Sequence, residues 1–149
     1  AEEKKNIEFK TDRGILYHAD CVEILPQIQS DTADLIFADP PFNLKKEYAN
    51  GRSDDLTISE YINWSKQWLD ECVRILKPGG SLYIYNIPKW CIYYAEYLSS
   101  KLCFQNWIAI DMKNSFPVKE YMVNNSSSRK RYASPKAGTE LYLDLVFRQ

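Results

Sequence analysis

The sequence is poor in the residues that build metal and disulfide sites. One histidine, His18, occurs among 149 residues, and the four cysteines are widely spaced with no C-x-x-C pair. Zinc sites use closer and more regular ligand spacings, so we expect no bound metal. The cysteines are Cys21, Cys72, Cys91 and Cys103.

Long apolar runs are also missing. No stretch approaches the roughly 18 apolar residues that indicate a membrane-spanning helix, and the first residues are charged rather than an apolar leader. We therefore expect no membrane role, a cytoplasmic location and reduced thiols.

Charge of one sign does not dominate the chain, which has 19 basic and 20 acidic residues and a net charge of −1. No global field draws it to nucleic acid, so any such binding must come from local basic patches. With 45% hydrophobic and 26% charged residues, the composition is that of a folded protein and excludes a disordered chain. The length suits one domain, residues 1–149.

Glycine is scarce, and its placement excludes one kind of site. A phosphate- or cofactor-binding turn places glycines between a strand and the start of a helix. Gly79 and Gly80 instead follow the end of a predicted helix, so they do not form such a turn. The five glycines are Gly14, Gly51, Gly79, Gly80 and Gly138.

The sequence does contain a short apolar run that ends in an acid, two prolines and an aromatic ring. Residues 35–37 are typical of a buried strand, and Asp39-Pro40-Pro41-Phe42 follows them directly. Proline lacks an amide hydrogen and keeps the preceding residue out of helical space, so the chain leaves the strand extended. The Asp39 carboxylate, the carbonyls of Asp39 and Pro40, and the flat face of Phe42 suit a planar molecule that offers an amino group.

The strongest helix signal lies after a polar loop. Thr57-x-x-Glu60 predicts a capping box, and apolar residues then recur at spacings of three and four up to Leu76. Lys77-Pro78-Gly79-Gly80 predicts the end of this helix. The other predicted elements are strands over 7–9, 15–20, 81–85, 104–112 and 141–148, a short helix over 21–29 and a helix from Pro88 to about Leu102.

Strands that alternate with helices predict an α/β fold of three layers with a largely parallel sheet. The last two predicted strands have no helix between them, which favours an antiparallel pair at one edge. No internal repeat or linker divides the chain.

Several of these segments resemble one family of DNA methyltransferases. The strand with Asp39-Pro40-Pro41-Phe42 is similar to its D-P-P-[YF] motif, and residues 18–21 are similar to the segment before that motif. Residues 61–81, with the pattern Y-x-x-W-x-x-x-W-x-x-E-x-x-R-x-L-K-P-G-G-S, resemble the helix and turn after it. The order is that of the permuted class called beta, whose members have a Rossmann-like fold and use S-adenosylmethionine to methylate an exocyclic amine of a DNA base.

The resemblance implies a role for several residues. Asp39 and the Pro40 carbonyl would accept the amino hydrogens of a flipped base, and Phe42 would stack on it. Double-stranded DNA is the implied partner. The implied catalytic residues are Asp39, Pro40, Pro41 and Phe42; the cofactor residues are Asp20, Cys21, Ala38 and Asp39; and the DNA contacts are Lys45, Lys46, Lys113, Arg129, Lys130 and Arg131.

The sequence departs from this family at the F-x-G-x-G loop, which holds the methionine part of the cofactor and has no counterpart here. The chain therefore resembles the catalytic half of an incomplete methyltransferase fold, and a further segment, a second chain or a homodimer partner would have to supply the loop. N6-adenine is favoured as the acceptor because the motif begins with Asp.

Other interpretations stay open at this point. The chain could be an N4-cytosine, RNA or protein methyltransferase, or a non-catalytic module that binds DNA or a partner protein. Asp39 also suits a plain turn, Asp20 a helix cap, and the lysines and arginines solvated loops.

Overall fold

The described chain alternates strands with helices, as the sequence predicts. A computed structural model describes residues 7–45, 54–113 and 139–149, and of these it describes 111–113 and 139–144 by their backbone alone. The elements are β1 (Ile7–Thr11), β2 (Gly14–Tyr17), α1 (Cys21–Ile24) with a 3-10 turn (Leu25–Gln27), β3 (Ala33–Ala38), α2 (Ile58–Ile75), β4 (Leu76–Asn86), α3 (Pro88–Leu98), β5 (Cys103–Lys113) and β6 (Thr139–Arg148).

The main sheet has four strands in the order β3-β4-β6-β5. β3 and β4 are parallel, and β6 is antiparallel to both of its neighbours. β3, β4 and β5 therefore run in one direction, and β5 and β6 form the antiparallel edge pair that the sequence predicts. β2 is shorter than the strand predicted over 15–20, and it pairs with β1 in a separate two-stranded sheet.

Local signals explain where α2 begins and ends. The Thr57 hydroxyl accepts a hydrogen bond from the Glu60 amide while the Glu60 carboxylate accepts one from the Thr57 amide, which completes the predicted capping box. After Ile75 the chain turns through Gly79, whose φ of 81° favours glycine. Within the described ranges, neither α2 nor any other helix has the length and apolar character needed to span a membrane.

Both long helices cover the same face of the main sheet. The steps β3-α2-β4 and β4-α3-β5 move the same way across the sheet, and right-handed connections then put both helices on one side. A third layer is not formed by the described residues. The core on the covered face includes Tyr61, Trp68, Leu69, Cys72, Leu82, Ile84, Trp90, Tyr94, Leu98, Leu145 and Phe147.

The opposite face of the sheet is open. Leu35 and Phe37 alternate along β3 with the core-facing Ile36 and Ala38, and each exposes 61% of its surface. Sheets of this type usually bury both faces, so this apolar exposure is a notable feature of the chain.

Candidate active site

The Asp39–Phe42 corner lies at the carboxyl end of β3, where open α/β sheets commonly bind ligands. β3 ends at Ala38, which pairs with Ile84 of β4. Asp39 and Pro41 are exposed, Pro40 is buried and Phe42 is partly buried. Because the two prolines have no amide hydrogen, the backbone of the corner is rich in acceptors and poor in donors.

Two side chains from the covering helices satisfy the last two carbonyls of the corner. The Tyr61 hydroxyl of α2 donates to the Pro41 carbonyl at 2.5 Å. The Trp90 indole Nε1 of α3 donates to the Phe42 carbonyl at 2.6 Å. Within the described residues, no hydrogen bond uses the Pro40 carbonyl or the Asp39 carboxylate, so neither acceptor has an internal donor there.

A buried polar cluster lies beneath these donors. Tyr94 donates to the Tyr61 hydroxyl at 2.9 Å, and the Asn86 amide nitrogen lies 3.3 Å from the Tyr61 hydroxyl and 3.4 Å from that of Tyr94. The Asn86 amide oxygen accepts from the Ile87 backbone at 2.8 Å, so its nitrogen is the donor toward the tyrosines. Ser65 donates to the Tyr61 carbonyl at 2.7 Å. The bonds from Tyr94 and Asn86 therefore converge on the Tyr61 hydroxyl, which in turn donates to the Pro41 carbonyl.

Burial keeps the Tyr61 and Tyr94 hydroxyls protonated and raises the pKa of the Asp39 carboxyl. Desolvation raises the pKa values of the Tyr61 and Tyr94 hydroxyls, so both remain donors at neutral pH. Desolvation also raises the pKa of the Asp39 carboxyl above its ordinary value, although the residue as a whole is exposed. The Asp39 carboxyl therefore keeps its proton to a higher pH than an ordinary aspartic acid.

The chain after the corner is closed by a side-chain clamp. The Asn43 amide nitrogen donates to the Leu56 carbonyl and its oxygen accepts from the Leu56 amide, each at 2.8 Å. Asn43 has a φ of 51°, a conformation that asparagine tolerates better than most residues. Leu44 adds a bond from its amide to the Asp54 carboxylate at 3.1 Å. The corner is thus held from both helices and from the loop after it.

One aromatic surface borders the acceptors. The ring of Phe42 lies 5.8 Å from the ring of Tyr85, between centroids, with planes inclined by 57°. Acceptors next to an aromatic ring can bind a planar molecule by stacking on its face and accepting hydrogens from its edge.

The predicted cofactor residues lie in two places. Ala38 ends β3 and Asp39 follows it, so both belong to the corner. Asp20 caps α1 by accepting from the Val22 amide at 3.0 Å, and Cys21 begins that helix. Among the described contacts, no hydrogen bond or ion pair joins Asp20 or Cys21 to the corner. Asp20 is a helix cap here, and its role toward a cofactor stays a prediction.

The predicted DNA contacts are only partly within the described residues. Lys45 is exposed beside the corner, and its ammonium lies 3.1 Å from the Asp55 carboxylate. Lys113 is the last residue of β5. The predicted contacts that lie outside the described residues are Lys46, Arg129, Lys130 and Arg131. Within the ranges that are described, no three His, Cys, Asp or Glu side chains cluster as metal ligands would.

The sequence did not predict that Tyr61, Trp90 and Asn86 hold the corner. Tyr61 and Trp90 are buried in the core, with 1% and 0% exposure. Their polar atoms reach carbonyls that lie 20 and 48 positions away in the sequence. The available signal was that buried tyrosine and tryptophan usually need a partner for their polar ends, which makes such residues near a proline-rich strand end candidates.

A family model and curated relatives match the segment that carries this site. The N6_N4_Mtase model, described as DNA methylase, matches residues 33–136. The Type II methyltransferase M.BamHI of Bacillus amyloliquefaciens is 55% identical over 111 residues, which are 74% of this chain and 26% of that protein. The DNA adenine methyltransferase YhdJ of Escherichia coli K12 is 36% identical over 78 residues, which are 52% of this chain and 26% of that protein.

Solved structures of similar fold cover nearly the whole chain. PvuII DNA methyltransferase, which is cytosine-N4-specific, superposes with a TM-score of 0.68 at 17% identity, over 97% of this chain and 52% of that one. TTHA0409 from Thermus thermophilus, complexed with S-adenosyl-L-methionine, superposes with a TM-score of 0.54 at 18% identity, over 88% of this chain and 53% of that one. The chain therefore spans about half of these structures and about a quarter of the two curated relatives.

Proposed function

Because this chain belongs to the N6/N4 DNA methylase family, we propose that it is the catalytic half of an S-adenosylmethionine-dependent DNA amino-methyltransferase. One observation carries the proposal. The Asp39 carboxylate and the Pro40 carbonyl have no internal donor among the described residues, while Tyr61 and Trp90 occupy the next two carbonyls. The corner thus presents two acceptors to an amino group.

The two acceptors match the two hydrogens of an exocyclic amine. The lone pair of such an amine is delocalised into the base, so the nitrogen is a poor nucleophile. Hydrogen bonds from the amine to Asp39 and to the Pro40 carbonyl direct this lone pair away from the ring, and they stabilise the positive charge that develops as the new nitrogen–carbon bond forms. The nitrogen then loses one hydrogen as a proton, for which the Asp39 carboxylate is the adjacent acceptor.

The base must leave the double helix to reach this corner. Flipping costs a few kcal/mol, and stacking on an aromatic ring recovers part of it. The partly exposed ring of Phe42 is the stacking surface next to the acceptors. Alignment of the amine with the methyl donor contributes the remaining rate enhancement through orientation.

The described residues fit only one part of S-adenosylmethionine, which supplies an activated methyl group when bound. One carboxylate oxygen of Asp20 accepts a hydrogen bond from the Val22 amide. The residue is exposed, so its other oxygen can accept a hydrogen bond from an adenosine. The residues that would hold this part are Asp20, Cys21, Ala38 and Asp39. The methionine part has no glycine-rich loop in this sequence.

We therefore infer that a further polypeptide segment, in the same chain or a second one, completes the cofactor site by packing on the open face of the sheet. Leu35 and Phe37 supply the apolar surface for it. The structures of similar fold contain about as much chain again as the part that this chain matches, which is enough for a third layer. A homodimer partner is the alternative source.

The favoured acceptor is N6 of adenine, as the initial Asp of the motif suggests, and N4 of cytosine presents the same pair of hydrogens. Duplex DNA would be bound through phosphate contacts from Lys45 and the other predicted lysines and arginines. A non-catalytic DNA-binding module is the second candidate, and the observation that favours it is that Asp20, a predicted cofactor residue, caps α1 by accepting from the Val22 amide.

Calorimetric titration with S-adenosylmethionine tests the proposal first, on this chain alone and together with the further segment. Binding is expected only when both parts are present. Absence of binding in both cases would contradict the enzyme and favour the binding module.

Methylation of duplex DNA by the two-part protein is the second test, with the product nucleoside identified. We expect N6-methyladenine from the wild type and none from Asp39→Ala. Asp12→Ala, which removes an exposed acid from the β1–β2 turn, is the control and should keep wild-type activity. Equal activity of the wild type and Asp39→Ala would refute the role of Asp39.

A further inference from the structure

The Asp39–Phe42 corner is held by donors that do not themselves reach the ligand side. The side chains of Tyr61 and Trp90 are 1% and 0% exposed, and their rings pack together with centroids 4.3 Å apart. One comes from the first turn of α2 and the other from the first turn of α3. The two helices therefore meet beneath the corner and contact it through one aromatic pair.

The pattern of hydrogen bonds decides which acceptors of the corner stay available. Four carbonyls follow one another from Asp39 to Phe42, and the two prolines between them restrict the backbone. With the Pro41 and Phe42 carbonyls bound to buried donors, the corner cannot rotate to turn the Pro40 carbonyl in another direction without breaking both bonds. A buried acceptor left without a donor costs about 1–3 kcal/mol, so such a rotation is disfavoured.

We propose that Tyr61 and Trp90 are positioning residues for methyl transfer, because their bonds to the Pro41 and Phe42 carbonyls fix the direction in which Asp39 and the Pro40 carbonyl face the amine. This inference rests on the proposed function. Neither side chain touches the substrate. They act by pre-organising two acceptors, and a misplacement of about 1 Å at such a site can cost about 100-fold in rate.

Tryptophan provides a matched pair of variants. Trp90 and Trp68 are both buried indoles, with 0% and 3% exposure. Trp90 Nε1 donates to the corner, whereas Trp68 Nε1 has no hydrogen-bond partner among the described residues. Trp90→Phe and Trp68→Phe therefore remove the same atoms from the core, and only the first removes a bond to the corner.

Two tyrosines provide a second pair of variants. This pair still tests the inference if the Trp90 variant fails to fold. Tyr61→Phe removes only the hydroxyl that donates to the Pro41 carbonyl. Tyr97→Phe removes a hydroxyl of α3 that donates to the Asp70 carboxylate at 2.8 Å, away from the corner. The ring of each tyrosine is kept, so packing changes little.

The experiment measures kcat, KM for DNA and the melting temperature of the two-part enzyme with duplex DNA and S-adenosylmethionine. We expect Trp90→Phe and Tyr61→Phe to lower kcat by about 10- to 100-fold with KM unchanged, and Trp68→Phe and Tyr97→Phe to keep the wild-type kcat. If Trp90 had a purely structural role, both tryptophan variants would have a lower melting temperature, and their kcat values would be the same.

The outcomes separate this inference from the proposed function. If the wild type transfers methyl groups and Trp90→Phe and Tyr61→Phe match their controls in kcat, the positioning role is wrong while the proposed function stands. If the wild type transfers no methyl groups, the proposed function is wrong, and the positioning role, which depends on it, is wrong as well.

Discussion

The two faces of the main sheet are made by the same strands and differ in what covers them. On one face, Leu82 and Ile84 of β4 are fully buried beneath α2 and α3. On the other, Leu35 and Phe37 of β3 each expose 61% of their surface. The register places Leu35 beside Ser81 and Phe37 beside Tyr83, so the open face extends across at least two strands.

The comparison shows which part of the site this chain can build by itself. The covered face supplies Tyr61 and Trp90, which hold the corner through buried hydrogen bonds. The open face supplies an apolar surface with no described element on it. We infer that the acceptors for the amine are preformed in this chain, whereas the cofactor site depends on what packs on the open face.

The largest expected effect is on the free energy of unfolding. Substitution of two leucines, one on each face of the main sheet, compares how deeply the two faces are buried. Leu82→Ala should lower the free energy of unfolding by about 2–5 kcal/mol, because it leaves a cavity in a filled core. Leu35→Ala should change it by no more than about 0.5 kcal/mol, because the side chain is already largely in water. Chemical denaturation of this chain measures both, and equal losses would mean that the two faces are equally buried in solution.

A second experiment repeats Leu35→Ala in the two-part protein. If the further segment covers the open face, the same substitution should now lower the free energy of unfolding by about 1.5–3 kcal/mol, which is the value of burying a leucine side chain. Lys10→Ala, on the separate β1–β2 sheet, serves as the control and should have the same small effect in both settings. An unchanged effect of Leu35→Ala would place the segment elsewhere.

A smaller effect on the free energy of unfolding is expected from the cap of α2, the helix that covers one face of the sheet. Thr57→Ala removes the hydroxyl that caps α2 and should lower the free energy of unfolding by about 1 kcal/mol. Thr57→Ser keeps the hydroxyl and should remain close to wild type. If thermal unfolding does not distinguish the two variants, the cap does not contribute to the stability of the covering layer.

The elements with local signals were predictable from the sequence. The Thr57 capping box and the apolar spacing after it predicted α2 to within one residue. The apolar run before Asp39 predicted β3, but the expected burial was wrong for Leu35 and Phe37, which are exposed on the open face. These signals depend on residues close together in the chain, so they need no knowledge of the sheet order.

The features that depend on distant pairing were not predictable. Alternating strands and helices predict three layers, and the described residues form two of them. The face that each helix covers depends on the direction in which successive strands step across the sheet. The donors of the corner were missed for the same reason, because Trp90 and Phe42 meet only after β3, β4 and α3 have assembled. The position of Asp39 and the prolines at the end of β3 was predictable, since they are adjacent in sequence, and their role as acceptors for the amine stays a prediction.

The central claim is that the ionised Asp39 accepts a hydrogen of the amine, and its pH dependence tests this claim most directly. Burial raises the pKa of the Asp39 carboxyl, so the accepting form is present above that pKa and is lost as the pH falls through it. The acid-side loss of kcat/KM should therefore begin at a higher pH than an ordinary aspartate, with its value of 3.8, would give.

The measurement compares the pH profile of kcat/KM of the two-part enzyme with that of Asp39→Asn, which keeps the shape and an acceptor oxygen but cannot ionise. We predict that Asp39→Asn is about 100- to 1000-fold slower and lacks the acid-side loss. A variant with the wild-type rate and the wild-type acid-side loss would contradict the account.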